Sequence, residues 1–129
     1  MNELVDEWIR KAEGDFISAL REYRARKQPN FDAAGFHAQQ CVEKYIKGLL
    51  QRHNVRFEKT QDMLALKELC QAFFLELELH RESLGYLNQF AVAFRYPGES
   101  ADRGHAKRAL KAMKELRALM RSKLNLASE

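Results

Sequence analysis

The sequence has little of what interrupts a helix. Only two prolines, Pro29 and Pro97, and six glycines occur in 129 residues. The long stretches between them are rich in Ala, Leu, Glu, Lys, Arg and Gln, which favour helix. Apolar residues make up 46% of the chain and charged residues 31%, a balance that suits a compact domain rather than disorder. We therefore expect an all-α protein, an up-and-down antiparallel bundle of four to five helices.

Cysteine and long apolar runs are also scarce. Cys41 and Cys70 show no paired CxxC spacing and fall inside apolar helical patterns, so we interpret both as small core residues that remain thiols. The first seven residues carry acid where a signal peptide would carry Lys or Arg, and no long uncharged apolar segment follows. These features predict a cytoplasmic protein with no membrane partner.

Apolar residues recur at three- and four-residue steps in five segments, which predicts five helices. The predicted bounds are 3–27, 31–53, 62–79, 82–96 and 102–124. The polar stretch 54–61 is predicted to be the longest connection, and Pro97-Gly98 is predicted to end the fourth helix. Because no linker or repeat divides these segments, we expect residues 1–129 to form a single helical-bundle domain.

Basic residues are concentrated in the last predicted helix. Between Arg103 and Lys123, eight basic residues and one acid, Glu115, give a net charge of +7, whereas residues 62–82 carry −3. Helical geometry places five of the basic residues on one stripe: Arg103, Lys107, Lys111, Lys114 and Arg121. This stripe could sit against nucleic-acid phosphates. The more common alternative is a solvated helix face, since no aromatic residues are interleaved with the charges.

Potential metal ligands are few. His37 and Cys41 stand four residues apart, as do Glu76 and His80, and that spacing can place two ligands on one helix face. A metal site needs three or four converging ligands, and no second matched pair is present. The chain also has no glycine-rich phosphate loop and no GxSxG elbow. We therefore expect no metal and no cofactor, and the corresponding hydrolase and kinase classes are excluded.

Two stretches carry a resemblance to a known family. The first, FHAQQCVEKYIKGLL, covers residues 36–50 in the second predicted helix, and the second, FRYPG, covers residues 94–98. Together with an early tryptophan, Trp8, ahead of Ala12 and Asp15, they are similar to the HEPN family of small helical domains, over all five predicted helices. The family pattern Lys-Thr-His-Asp-Leu reads KTQDM in this sequence, with Gln61 where the histidine would stand.

The resemblance implies a homodimer that binds a nucleotide or RNA. Family members are often encoded beside a minimal nucleotidyltransferase, and several such pairs act as toxin and antitoxin. Carried onto this sequence, the resemblance and the basic stripe indicate seven candidate binding residues. These are Arg95, Tyr96, Lys44, Lys47, Lys107, Lys111 and Lys114.

The resemblance also bears on catalysis. Active members are metal-independent ribonucleases with an arginine followed, after four to six residues, by a histidine at the dimer cleft. Arg95 matches the arginine, but Ser100, Ala101 and Asp102 stand where the histidine would fall, and nine residues separate Arg95 from His105. Arginine stabilises phosphate charge but cannot accept the proton of a ribose 2′-hydroxyl. We therefore expect binding without catalysis.

Two alternative functions stay open. In the first, the turn at Pro97-Gly98 folds back so that the candidate catalytic residues Arg95 and His105 act together in a ribonuclease toxin. In the second, the chain is an interaction module whose apolar stripe docks another helical protein. Ordinary structural roles are a salt bridge or helix cap for Arg95, and solvent exposure for Lys44 and Lys47.

Overall fold

The computed structural model describes residues 2–127, and within them the chain is helical with no strand. Its α-helices, in chain order, are α1 Glu3–Arg24, α2 Phe31–Arg52, α3 Met63–Leu69, α4 Arg81–Val92 and α5 Arg103–Lys123. Two 3₁₀ segments, Leu75–His80 and Ala93–Arg95, precede and follow α4. The expected all-α bundle is confirmed. None of the helices described is long and apolar enough to cross a membrane.

Side-chain caps explain where most of these helices begin. In α1, α2, α3 and α5 the residue before the helix accepts a hydrogen bond from a backbone N–H of the first turn; these caps are Asn2, Asn30, Asp62 and Asp102. Such a cap satisfies a donor that the helix itself leaves without a partner. Four predicted helix starts therefore agree with the structure to within one residue.

The core is built around α2, which packs against α1, α3, α4 and α5. Its largest fully buried side chains include Tyr45, Ile46 and Leu49. Cys41 and Cys70 are both buried free thiols, as predicted. Burial raises the pKa of Cys70 to about 12 and that of Cys41 still further, so neither forms a reactive thiolate near neutral pH.

The prediction for the third helix is wrong. Instead of running to residue 79, α3 ends at Leu69, and a turn leads into the 3₁₀ segment. The turn brings Glu78 back to Lys67, whose side chain is only 2% exposed and contacts both Glu78 and Glu68. In a continuous α-helix the eleven residues from Lys67 to Glu78 would span roughly 16 Å. The contact between Lys67 and Glu78 therefore requires the break.

The predicted fourth helix is also too long at its end. Its α-helical part stops at Val92, and residues 93–95 tighten into 3₁₀ geometry before Tyr96 becomes extended. Gly98 then takes a positive φ of 94°, which favours glycine. This irregular ending turns Arg95 and Tyr96 out of the helix and into solvent.

Candidate functional site

Arg95 lies where the 3₁₀ segment after α4 ends. Its guanidinium carbon sits 5.2 Å from the centre of the Phe36 ring on α2, a cation–π contact. Among residues 2–127 no carboxylate forms an ion pair with Arg95, so the salt bridge considered for it is not observed. Tyr96 follows with 64% exposure. We call Phe36, Arg95 and Tyr96 the Arg95 corner.

The corner is positioned by close packing between α2 and α4. Gly35 precedes Phe36 on α2 and lies directly against Phe90 of α4. A Cβ added to Gly35 would sit 2.0 Å from a ring carbon of Phe90. The absence of a side chain at Gly35 therefore lets α4 approach α2 closely enough to bring Arg95 over Phe36.

A partly buried polar cluster lies beside the corner, between α1 and α2. The His37 ring, 5.8 Å from the Phe36 ring, has its Nδ1 2.8 Å from Asp15 Oδ1. Lys44 places its Nζ 2.5 Å from Asp15 Oδ2. Asp15 itself is only 8% exposed. We call Asp15, His37 and Lys44 the Asp15 cluster.

Asp15 was part of the family resemblance, but no functional role was predicted for it. In the sequence it also stands out as an acid at a position of α1 that faces the core, between Ala12 and Ala19. His37 was considered with Cys41 as a potential metal pair, whereas its partner in the structure is the carboxylate of Asp15. In the part of the chain that the structure describes, no group of three or more His, Cys, Asp or Glu could hold a metal ion.

Lys47 is placed inside the bundle rather than in solvent. Its side chain is 9% exposed, its Nζ lies 3.0 Å from Glu43 Oε2, and it stands 5.7 Å above the Trp8 ring. Glu43 also accepts hydrogen bonds from the amides of Gln39 and Gln40. The expectation of solvent exposure is therefore wrong for Lys47. A binding role is not favoured either, because a buried, paired ammonium group cannot reach an external phosphate without breaking its ion pair.

A second polar cluster joins α1, α2 and α5. Glu13 accepts two N–H groups from Arg117, each at 2.7 Å, and the hydroxyl of Tyr45 donates to the same carboxylate. Desolvation raises the pKa of Glu13, but the hydrogen bonds and the charges of Arg117 and Arg121 outweigh it, so the pKa is lowered. Arg121 donates to the Tyr45 oxygen and to the carbonyl of Ala127.

Arg121 therefore does not belong to the basic stripe to which the sequence analysis assigned it. Its side chain is 12% exposed and turned toward the Glu13 carboxylate. Helical periodicity places Arg121 near the stripe, but the half-buried Glu13 on α1 draws the long side chain back across the surface of α5. Sequence spacing along one helix could not reveal that acid.

The other lysines of the stripe are exposed and border a groove between α1 and α5. This α1–α5 groove has a volume of about 410 Å³, and its lining residues are Leu20, Tyr23, Arg24, Lys107, Leu110, Lys111, Lys114 and Glu115. Arg103 lies over the rings of Tyr23 and Phe31, at 5.9 and 5.0 Å from their centres. The aromatic residues that α5 lacks are thus supplied by α1 and α2.

His105 caps α5. Its backbone N–H donates to Asp102 Oδ1 at 2.8 Å, and its Nδ1 accepts from the backbone N–H of Asp102 at 3.1 Å. Together these bonds form a capping box. The ring also lies 5.3 Å from the ring of Phe94, the residue before Arg95. The structure therefore brings His105 against a neighbour of Arg95 but uses its Nδ1 to hold the helix start.

These features define a small all-helical bundle with an exposed arginine corner and a basic groove. The family model described as "HEPN domain" matches residues 5–123, a span that runs from α1 to the end of α5. The chain therefore belongs to the HEPN domain family. No curated protein and no solved structure gave a significant match to it.

Proposed function

We propose that this HEPN-domain chain is a homodimer that binds a nucleotide or RNA at the Arg95 corner, without catalysis of its own. In this proposal it acts with a minimal nucleotidyltransferase partner, as the toxin-like half of a toxin–antitoxin pair. The observation that carries the binding role is the exposed Arg95 guanidinium, which rests on Phe36 and forms no ion pair within residues 2–127.

The corner has the chemistry to hold a phosphate and a base. Arginine presents a planar fork of N–H donors that matches phosphate oxygens, and the Phe36 ring reduces the freedom that binding would otherwise remove. The adjacent Tyr96 ring is 64% exposed and offers a face on which a base can stack. Lys44 contributes less, because Asp15 already neutralises its charge.

The surface around the Arg95 corner favours contact with a second copy of the chain, which would cover it. Val92 and Tyr96, on either side of Arg95, are 65% and 64% exposed. Apolar residues grouped in this way are common where subunits meet. A two-fold interface would bring two copies of the corner together, so that both arginines line one cleft.

Binding and cleavage should be measured together on labelled structured RNA in excess EDTA. We expect the native chain to bind without cleaving and Arg95→Ala to bind about tenfold more weakly, a loss of about 1.4 kcal/mol. Arg56→Ala, at an exposed arginine in the loop after α2, is the matched control and should bind as the native chain does.

Other results would contradict the proposal in distinct ways. Cleavage that Arg95→Ala abolishes would make the chain a ribonuclease. If Arg95→Ala and the native chain bind equally well, the Arg95 corner is not part of the binding site. If light scattering finds only monomer at high concentration, no cleft shared by two copies of the chain forms.

One observation favours a second function, that of a protein-interaction module. In the 3₁₀ segment before α4, Leu75 and Leu79 are 66% and 85% exposed, and the acids Glu76 and Glu82 lie close by in the chain. A partner with an apolar, basic surface would cover them. If this is the main function, Leu79→Asp should abolish capture of the nucleotidyltransferase, and the native chain should bind neither nucleotide nor RNA.

A further inference from the structure

The lysines of the α1–α5 groove differ from the buried and half-buried lysines elsewhere in the described chain. Lys44, Lys47 and Lys67 each meet a carboxylate within 3.0 Å. None of the three groove lysines has a carboxylate within 4.0 Å among residues 2–127. We propose that this groove is a second binding site, separate from the Arg95 corner, which takes one nucleotide unit of a single-stranded RNA.

Charge is the first argument. Four cations line the groove, Arg24 from α1 and three lysines from α5, against the single acid Glu115. Cations that lack an internal partner can neutralise phosphates and so release the counterions condensed on the nucleic acid, which favours association at low salt. Because the positive charge comes from both sides of the groove, a bound phosphate chain would be held between the two helices.

The floor of the groove is the second argument. Leu20 and Leu110 form an apolar base, and the Tyr23 ring stands beside them. Arg103 covers part of that ring from the start of α5. A purely electrostatic surface has no need of an aromatic floor, whereas an unpaired base can stack on one. In a duplex the base faces are already stacked on one another, so this floor selects single strands.

Size is the third argument. A volume of about 410 Å³ lies near the lower end of the range for small-molecule sites, so the groove has room for a single nucleotide unit. From Lys107 to Lys114 the seven-residue separation covers about 10 Å along α5. The lysines can therefore reach the phosphates on both sides of the unit whose base lies on Tyr23. An acidic peptide would satisfy the lysines but offers no planar ring of matching size.

The inference rests on the proposed function only in taking RNA as the ligand, and binding of a labelled RNA tests it. The probe is a single strand of about 12 nucleotides, compared with its own duplex over a range of salt concentrations. The variants are the triple substitution Lys107→Ala/Lys111→Ala/Lys114→Ala, Tyr23→Leu and Tyr23→Phe. The matched control removes three exposed cations elsewhere: Arg10→Ala/Arg56→Ala/Lys59→Ala.

The expected results separate charge from stacking. The triple lysine variant should bind about 100-fold more weakly and lower the slope of log affinity against log salt by about 2 to 3. Tyr23→Leu should weaken binding about tenfold without changing that slope, because stacking releases no counterions. Tyr23→Phe, which keeps the ring, and the control should bind as the native chain does, and circular dichroism should show all variants folded.

The outcomes that overturn the groove differ from those that overturn the Arg95 corner. If the triple lysine variant and Tyr23→Leu bind normally while Arg95→Ala does not, the groove is not a binding site and the Arg95 corner remains one. If only the groove variants lose binding, the Arg95 corner is not a binding site and the groove remains one. Equal affinity for the single strand, its duplex and an acidic peptide, with no effect of Tyr23→Leu, would reduce the groove to an unspecific cationic surface.

Discussion

Lysines occupy the α1–α2 interface and the α1–α5 groove in opposite ways. At the interface, Lys44 and Lys47 lie 2.5 and 3.0 Å from the carboxylates of Asp15 and Glu43. In the groove, the α5 lysines are exposed, and within residues 2–127 none of them forms an ion pair, although Glu115 also lines the groove. A lysine's role in this bundle therefore depends on whether an acid is placed opposite it. Lys44 pairs with an acid of the neighbouring helix, Lys47 pairs within α2, and the unpaired lysines remain available to an external anion.

The largest change in stability should come from Gly35→Ala, at the contact between α2 and α4. The new Cβ would collide with the Phe90 ring at 2.0 Å, so α4 must shift away from α2 and carry Arg95 with it. We expect the free energy of unfolding to fall by about 3 kcal/mol, as overpacking does at its upper range. Urea denaturation measures this loss, and the α1–α5 groove should still bind single-stranded RNA.

Gly14→Ala is the matched control for this experiment. It is also a helical glycine, on α1, but nothing lies within 4 Å of its added Cβ. Alanine there should raise the free energy of unfolding by about 0.5 to 1 kcal/mol through helix propensity alone. If Gly35→Ala proves as stable as Gly14→Ala, the close approach of α2 and α4 does not exist.

Asp15→Asn should make an interface lysine resemble a groove lysine. The substitution removes the carboxylate shared by His37 and Lys44 while keeping its shape, and it leaves Lys44 without its partner. We expect a loss of about 2 kcal/mol in the free energy of unfolding, since breaking a largely buried pair exposes its desolvation cost. The freed Lys44 should also tighten RNA binding severalfold at low salt.

Urea denaturation and a binding titration check both effects of Asp15→Asn. Glu7→Gln removes an exposed carboxylate from the same helix and serves as control, with an expected change below about 0.5 kcal/mol. Unchanged stability in Asp15→Asn would mean that the Asp15 cluster contributes nothing to the α1–α2 interface.

Glu13→Gln tests the contribution of a paired charge between α1 and α5, and the measured quantity is the pH dependence of stability. Because the folded-state pKa of Glu13 lies below its ordinary value of 4.5, its ionised form stabilises the fold above that pH, and the stabilisation is lost as pH falls through the folded pKa. We expect Glu13→Gln to cost about 1 kcal/mol near neutral pH and nearly nothing in strong acid. Urea midpoints measured at both pH values show whether the difference shrinks. A constant difference would assign the effect to shape rather than to charge.

Local sequence patterns were sufficient to predict the fold, but they could not predict the side-chain clusters. Apolar periodicity and cap residues depend on neighbours within one helical turn, which is why the all-α fold and the burial of Cys41 and Cys70 could be predicted. The Asp15–His37 contact joins residues 22 apart, and the Arg121–Tyr45 contact joins residues 76 apart. No spacing rule within a single helix can find such pairs.

The groove shows the same limitation from another side. The α5 lysines were identified as a stripe, but without aromatic residues among them a solvated face was the better interpretation. Tyr23 meets them only because α1 packs beside α5, at a separation of more than 80 positions in the chain. Likewise, the early end of α3 allows Lys67 to contact Glu78, a tertiary contact that helix propensity does not contain.

The smallest effect is expected at His105, which lies between the two regions. His105→Ala removes the side-chain half of the capping box, and we expect the free energy of unfolding to fall by about 0.5 kcal/mol. His105→Gln should restore the stability, because a glutamine at this third helical position can also accept the Asp102 N–H but has no imidazole. Urea denaturation of both variants measures the cap, and the EDTA cleavage assay measures the ring. If the native chain cleaves RNA and both variants lose that activity, His105 is catalytic together with Arg95. If only the stability changes, and only in His105→Ala, the role of His105 is to cap the helix.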